Sequence, residues 1–220
     1  MAFLFKRANC VAVGTFNMYI IQPAWLAEVG IIPRGTEVAI SSKIDAPGFR
    51  FSSPKLPARW IVTPNLIQVE TDQPDIDCGE AVAKVIEKLP WTPLIAIGNN
   101  SIYEAPLEEL VGTRIPLPAT QVAPEGFEFT QRTIHYGLKH GSTVFNIQLA
   151  ITEDEVALTL NAHTELGVRK SEEAKHAAQQ FFHDRQTAEG LVSHFFQSSL
   201  TYADTDHQSL DKKHGGNGEQ

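Results

Sequence analysis

The chain has 220 residues, of which 42 % are hydrophobic and 20 % charged, a composition typical of a folded globular protein rather than a disordered one. Its formal net charge of −8 argues against a broad nucleic-acid-binding surface, because phosphate contacts require clustered Lys and Arg. No apolar run approaches the roughly 20 residues that span a bilayer, and the stretch Met1 to Arg7 is too short for a signal peptide. We therefore expect no membrane segment.

Cys10 and Cys78 are the only two cysteines, and they lie far apart in the sequence. They form no metal-ligand spacing, and so few cysteines favour the reducing cytoplasm as the compartment. Cys78 lies at the first turn of a predicted helix, where the pKa of a thiol can fall. Because no His lies near Cys78 in the sequence, we interpret both cysteines as small buried apolar residues.

Strands alternate with short helices in the first part of the chain. A short helix begins at Pro23, because proline is favoured at the first helical position. Hydrophobic periodicity predicts the strands around it. The predicted strands are Asn9 to Ile21, Thr36 to Ser42, Arg59 to Val62 and Leu66 to Thr71, the last two forming a hairpin.

The segment from Lys43 to Pro57 has no periodicity and is predicted to be a long loop. Loops of this length are uncommon unless they are functional or mobile. Phe49 and Phe51 are its only aromatic residues. They either contact a protein partner, in which case the loop becomes ordered at an interface, or fix the loop to its own domain.

The strongest local pattern begins at Asp77, which can cap the first turn of a helix. Apolar side chains from Val82 to Leu89 recur at helical spacing, and Pro90 ends the helix. A buried strand follows from Pro93 to Ile97. This pattern describes how the chain folds, and it contains no catalytic motif.

Gly98, Asn99 and Asn100 interrupt this strand. A glycine within a strand predicts a β-bulge or a close approach of another backbone. A bulge can direct side chains into a pocket, so Asn99, Asn100 and the nearby Tyr103 are candidates for contact with a ligand or partner. The other interpretation is that the asparagines only bond the kinked backbone.

Strict alternation of apolar and polar residues marks the second half of the chain. It predicts three strands, within Phe127 to Tyr136, Phe145 to Ile151 and Val156 to Ala162, in an antiparallel sheet with one covered face. A helix from about Glu172 to Leu200 provides the cover. The polar, glycine-rich residues after Tyr202 are predicted to be disordered.

Together these elements predict an α+β fold with mostly antiparallel sheet and helices packed on one face, in the order β-α-β-β-β-α-β followed by β-β-β-α. Prolines place a boundary near Thr120, between subdomains 1–119 and 120–203, with a tail over 204–220. A hairpin, a capped helix and a strand, followed by two amphipathic strands and a long helix, resemble a sporadically distributed family of uncharacterised bacterial proteins. The resemblance lies in element order and implies no function.

Three of the eight histidines, His176, His183 and His194, fall on one face of the last predicted helix. Seven residues of helix span about 10 Å, whereas one zinc ion holds its ligand nitrogens about 2.0–2.1 Å away. They cannot share one ion within the helix, so we interpret this face as solvated. The sequence predicts no metal and no cofactor.

The remaining catalytic candidates are His135, His163 and Glu165, which are predicted on strands of the second sheet, opposite the helix. A histidine beside a carboxylate can act as a general base, but these residues match no established catalytic motif. The sequence therefore favours a non-catalytic protein-interaction or assembly subunit of a bacterial multi-protein system, acting in the cytoplasm with a protein partner or a second copy of itself. The alternative is a small hydrolase or nuclease-like enzyme that uses His135, His163 and nearby carboxylates.

Overall fold

The computed structural model describes residues 2–43, 46–110, 130–152, 154–167, 171–196 and 199–202. Within these ranges the chain forms strands, α-helices and a 3₁₀ turn at Leu107–Leu110. The strands are β1 (Ala2–Gly14), β2 (Ala39–Lys43), β3 (Ala46–Ser52), β4 (Arg59–Val62), β5 (Leu66–Thr71), β6 (Leu94–Pro106), β7 (Arg132–His140), β8 (Thr143–Ile151), β9 (Glu155–Glu165) and β10 (Ser199–Thr201). The helices are α1 (Pro23–Glu28), α2 (Cys78–Lys88), α3 (Ser171–Gln179) and α4 (Phe181–Phe196).

All of these strands belong to one sheet. Its order is β2-β3-β4-β5-β1-β6-β9-β8-β7, with antiparallel neighbours throughout, and β10 adds to β1 in parallel. The fold is therefore α+β with a mostly antiparallel sheet, as the sequence predicts. Because β6 pairs with both β1 and β9, the strands on either side of the predicted boundary share this sheet. That boundary, near Thr120, and the predicted tail lie outside the described residues.

Helices α2, α3 and α4 lie on one face of the sheet, and the alternation of β8 shows how the sequence selects that face. Phe145, Ile147 and Leu149 are buried, whereas Asn146 is half-buried and Gln148 is exposed on the opposite side. Successive residues of a strand point to opposite faces, so one set packs beneath the helices. We call the other side the open face.

Helix α2 starts as the sequence predicts. The Asp77 carboxylate accepts a hydrogen bond from the backbone N–H of Glu80 at 2.9 Å. This bond satisfies one of the four N–H groups that a helix start leaves without an intrahelical partner. The Glu80 carboxylate forms an ion pair with Lys84 at 3.4 Å. The cap fixes where α2 begins. The apolar side chains of the helix then determine which of its sides packs on the sheet.

The predicted loop from Lys43 to Pro57 is wrong over Ala46–Ser52, which forms β3. This strand pairs with β2 and with β4, and Phe51 stacks on Trp60 with ring centroids 5.6 Å apart. Only two apolar residues alternate in this short, proline-bounded segment. Its hydrophobic pattern is therefore too brief to reveal the strand before its neighbours are known.

The predicted bulge at Gly98 is also wrong. Gly98 lies in regular register opposite Val11 on one side and His163 on the other. The register shifts instead between Phe5 and Arg7 and between Val13 and Gly14. The predicted C-terminal helix is divided, since α3 ends at Gln179 and α4 begins at Phe181.

Candidate functional site

Four asparagine side chains form a hydrogen-bonded row across the open face. Asn9, Asn100, Asn161 and Asn146 occupy directly opposite positions on the neighbouring strands β1, β6, β9 and β8. Nδ2 of Asn146 donates to Oδ1 of Asn161 at 2.9 Å. Nδ2 of Asn161 donates to Oδ1 of Asn100 at 2.6 Å, and Nδ2 of Asn100 donates to Oδ1 of Asn9 at 2.7 Å. We call these four residues the asparagine row.

The predicted pair Asn99 and Asn100 is divided between the two faces of the sheet. Asn99 points to the helices and is 7 % exposed. Its Nδ2 donates to Oδ2 of Asp184 at 2.8 Å and to the carbonyl oxygen of Ala177 at 3.1 Å. Asn100 therefore points to the open face. The structure does not bring the two amides together in one pocket.

The asparagine row has a direction, because all three of its hydrogen bonds are donated toward Asn9. At one end, Asn9 lies opposite Glu70 of β5, whose carboxylate pairs with Arg59 at 3.2 Å. The N–H ends of the amide dipoles thus point toward a negative charge. Each bond in such a chain polarises the next, so the row is a connected unit rather than four separate contacts.

At the other end, the asparagine row stops at Gly137 in the outermost strand. Gly137 is paired with Asn146, and an added Cβ would lie 3.6 Å from Oδ1 of Asn146. This oxygen receives no hydrogen bond from the described residues. Within the described part of the chain, the row therefore ends in a free acceptor one strand inside the edge of the sheet.

The structure places the catalytic candidates on the open face, as predicted, but does not bring the two histidines together. His135 is opposite Gln148, which is opposite Thr159 of β9. His163 lies four positions further along β9, about 13 Å at the rise of a strand. Glu165 lies on the same side two residues beyond His163. General base catalysis requires groups within hydrogen-bond reach, and this separation is far greater.

Of the aromatic residues predicted to contact a ligand or partner, Phe51 and Tyr103 are interior residues. Phe51 is 1 % and Tyr103 is 0 % exposed. The Tyr103 hydroxyl donates to the carboxylate of Glu189, and burial together with that carboxylate raises the pKa of Tyr103. Phe49 is half-buried and stacks on Phe51 at 6.2 Å. Among the three, only Phe49 keeps part of its ring accessible.

A polar cleft of about 470 Å³ lies where β8 and β9 meet the junction of α3 and α4. Asp184 lines it, and burial raises the pKa of that carboxyl. His176 and His183 also line the cleft and are solvent-exposed, as is His194 beyond it. No group of three or more His, Cys, Asp or Glu in the described part of the chain could hold a metal ion.

Both cysteines are free and buried, as the sequence predicts. Burial raises the pKa of Cys78 to about 12 and raises the pKa of Cys10 well above its usual value. The thiolate is the reactive form of cysteine. These side chains therefore stay protonated near neutral pH and act as small apolar residues.

The sequence interpretation missed Asn9, Asn146 and Asn161 as site residues. Asn146 and Asn161 occupy polar positions in alternating strand patterns, whereas Asn9 is a single buried polar residue in a largely apolar strand. An outward asparagine is common on a wet sheet face. What distinguishes these three is that they lie opposite one another, and that depends on strand order and register.

No protein-family model matches this chain, and no curated protein matches it with significant similarity. None of the helices in the described ranges combines the length and apolar character needed to cross a membrane.

Proposed function

We propose that the protein is a non-catalytic interaction or assembly subunit of a bacterial multi-protein system, and that the open face of its sheet binds a protein partner. The asparagine row carries this proposal. Amide side chains both donate and accept hydrogen bonds, and they do not titrate. A connected row of them that ends in a free acceptor is suited to recognising polar groups on another protein.

The surroundings of the asparagine row support the same function. The exposed Gln148 and the half-buried Thr159 lie opposite each other beside the row and add further donors and acceptors. The alternative, a hydrolase using His135 and His163, has no comparable support, because His163 lies about 13 Å along β9 from the position level with His135, which is two strands away on β7.

Affinity purification of the tagged protein from its native host, followed by quantitative mass spectrometry, tests this proposal. We expect a partner in fixed proportion to the wild-type protein. Gln148→Trp combined with Thr159→Trp should remove that partner, because two large uncharged rings would cover the region beside the asparagine row.

A matched control places the same substitutions on the helices. Gln179→Trp with Gln186→Trp changes two exposed glutamines of α3 and α4 and should retain the partner. Equal loss or equal retention in the two double variants would contradict the assignment of the open face. The absence of any partner in fixed proportion would contradict the interaction function itself.

A further inference from the structure

The outermost strand on the side of the free acceptor is β7, a nine-residue strand. All of its residues pair with β8, and no described strand pairs with its other edge. Such an edge presents a row of backbone N–H and C=O groups that can pair with another chain. Proteins use edges of this kind to bind extended segments, whose main-chain hydrogen bonds supply affinity.

The helix-facing side of β7 is only partly covered. Ile134, Tyr136 and Leu138 are half-buried, whereas the corresponding residues of β8 are buried. Tyr136 stacks on Phe195 with ring centroids 5.1 Å apart. An added strand with apolar side chains on this side would cover the exposed parts of these three residues and extend the hydrophobic core.

The charge of β7 opposes that of the whole chain. The formally charged side chains of this strand are all basic, and the strand contains no Asp or Glu. The chain as a whole, by contrast, has a net charge of −8. His135 and Lys139 are exposed on the open face. Pairing β7 with β7 of a second copy would bring like charges together, which disfavours the contact. An acidic strand would complement it.

Gly137 lies between these two basic residues, and no contact with the described residues requires a glycine there. Its φ lies outside the left-handed region that favours glycine, and the nearest atom to an added Cβ is Oδ1 of Asn146 at 3.6 Å. Glycine inside a strand weakens it and often marks a close approach by a ligand or another chain. Here it leaves the free acceptor of the asparagine row uncovered.

We propose that β7 is the docking edge for an extended acidic segment of a protein partner, which adds to the sheet as a further antiparallel strand. Its carboxylates lie beside His135 and Lys139, its apolar side chains cover Tyr136, and a long donor side chain crosses Gly137 to reach Oδ1 of Asn146. This inference rests on the proposed interaction function and names the chemistry of the partner segment.

Two synthetic peptides of the same length as β7 test the proposal. One alternates valine with glutamate and carries glutamine at its central polar position, and the other has lysine in place of each glutamate. We expect the full-length protein to bind the glutamate peptide at least about tenfold more tightly at low salt, with the difference falling as salt is added. Amide exchange should show new protection in β7.

Two variants locate the contact. His135→Glu with Lys139→Glu should weaken binding of the glutamate peptide by about tenfold or more, whereas Lys88→Glu with His176→Glu, the same change on exposed helix positions, should not. Gly137→Val should keep the fold and also weaken binding. Equal affinity for the two peptides, or protection outside β7, would overturn the proposal. So would a dimer in sedimentation that depends on β7, because the edge would then belong to a second copy.

The same variants separate this inference from the function on which it rests. A partner captured from the native host that still binds His135→Glu with Lys139→Glu would overturn the role of β7 while leaving the interaction function in place. A captured partner that is lost with His135→Glu and Lys139→Glu, but retained with Lys88→Glu and His176→Glu, would support both the interaction function and the role of β7. If no partner is captured in fixed proportion, the interaction function fails, whatever the peptides show.

Discussion

The amide of Asn99 donates a 2.8 Å hydrogen bond to the carboxylate of Asp184, which is 85 positions later in the sequence. The bond joins the central strand β6 to the first turn of α4. Both residues are buried, at 7 % and 6 % exposure. A buried polar group without a partner costs about 1–3 kcal/mol, so this pairing favours one placement of α4 on the sheet.

The first prediction concerns the pH dependence that Asp184 creates. Burial raises the pKa of this carboxyl in the folded protein above its unfolded value. The stability that it contributes is fully present below the unfolded pKa and is lost as the pH rises through the folded pKa. Asp184→Asn removes the titration, so the free energy of unfolding of the variant relative to wild type should increase as pH rises above about 4. Urea denaturation at a series of pH values measures this difference, and parallel profiles would contradict it.

The second prediction concerns the contact between α2 and α3. A Cβ added at Gly79 would lie 2.0 Å from the carbonyl oxygen of Ala178. Neither backbone can move aside without displacing its helix, so Gly79→Ala should destabilise the protein by about 3 kcal/mol or more. The control is Gly190→Ala in α4, where no atom of the described residues, apart from the adjacent turns of the same helix, lies within 4 Å of an added Cβ. Alanine is the better helix former, so this variant should be about 0.5–1 kcal/mol more stable than wild type. Thermal unfolding measures both, and similar melting temperatures for the two variants would refute the close approach.

The third prediction tests the asparagine row as a connected unit. Asn161 accepts from Asn146 and donates to Asn100, but an ionised carboxylate has no proton to donate. Asn161→Asp should therefore cost about 1–3 kcal/mol at neutral pH, and part of the loss should return at low pH, where the protonated carboxyl can donate again. Thr159→Asp adds the same charge on the same face outside the row and should cost less. Equal costs in chemical denaturation would show that the hydrogen bonds along the row contribute little.

The fourth prediction concerns α4 as a structural element. Phe181 is 1 % exposed, whereas Phe195 is half-buried against Tyr136. Phe181→Ala should cost about 3–5 kcal/mol, and Phe195→Ala should cost less. Folding stability is typically about 5–15 kcal/mol in total, so the double variant should be largely unfolded by circular dichroism. A double variant that melts like wild type would show that α4 is not needed for the fold. Deletion of residues Asp206 to Gln220 should leave the melting temperature unchanged.

Much of the local structure could be predicted from the sequence, because it depends on neighbouring residues. The cap at Asp77, the hairpin from Arg59 to Thr71 and the alternating strands β8 and β9 all match their predictions. Each rests on a short-range rule of capping, turn chemistry or side-chain period. The buried state of Cys10 and Cys78 matches a prediction from the small number of cysteines and the absence of a metal-ligand spacing or a nearby His.

The tertiary structure decided which residues meet. The asparagine row exists because β1, β6, β9 and β8 are adjacent in one register, and no local pattern specifies that order. Because the register is regular at Gly98, the alternation of the strand sends Asn99 and Asn100 to opposite faces, and the strand order leaves His135 far from His163. Gly98 and Gly137 are also explained only by the tertiary structure, since the contacts of a strand glycine depend on which residues the neighbouring strands place opposite it. Sequence alone determined the elements with a strong periodic pattern and the buried faces of β8 and β9, whereas strand order and register, which arise from long-range packing, determined β3 and the site.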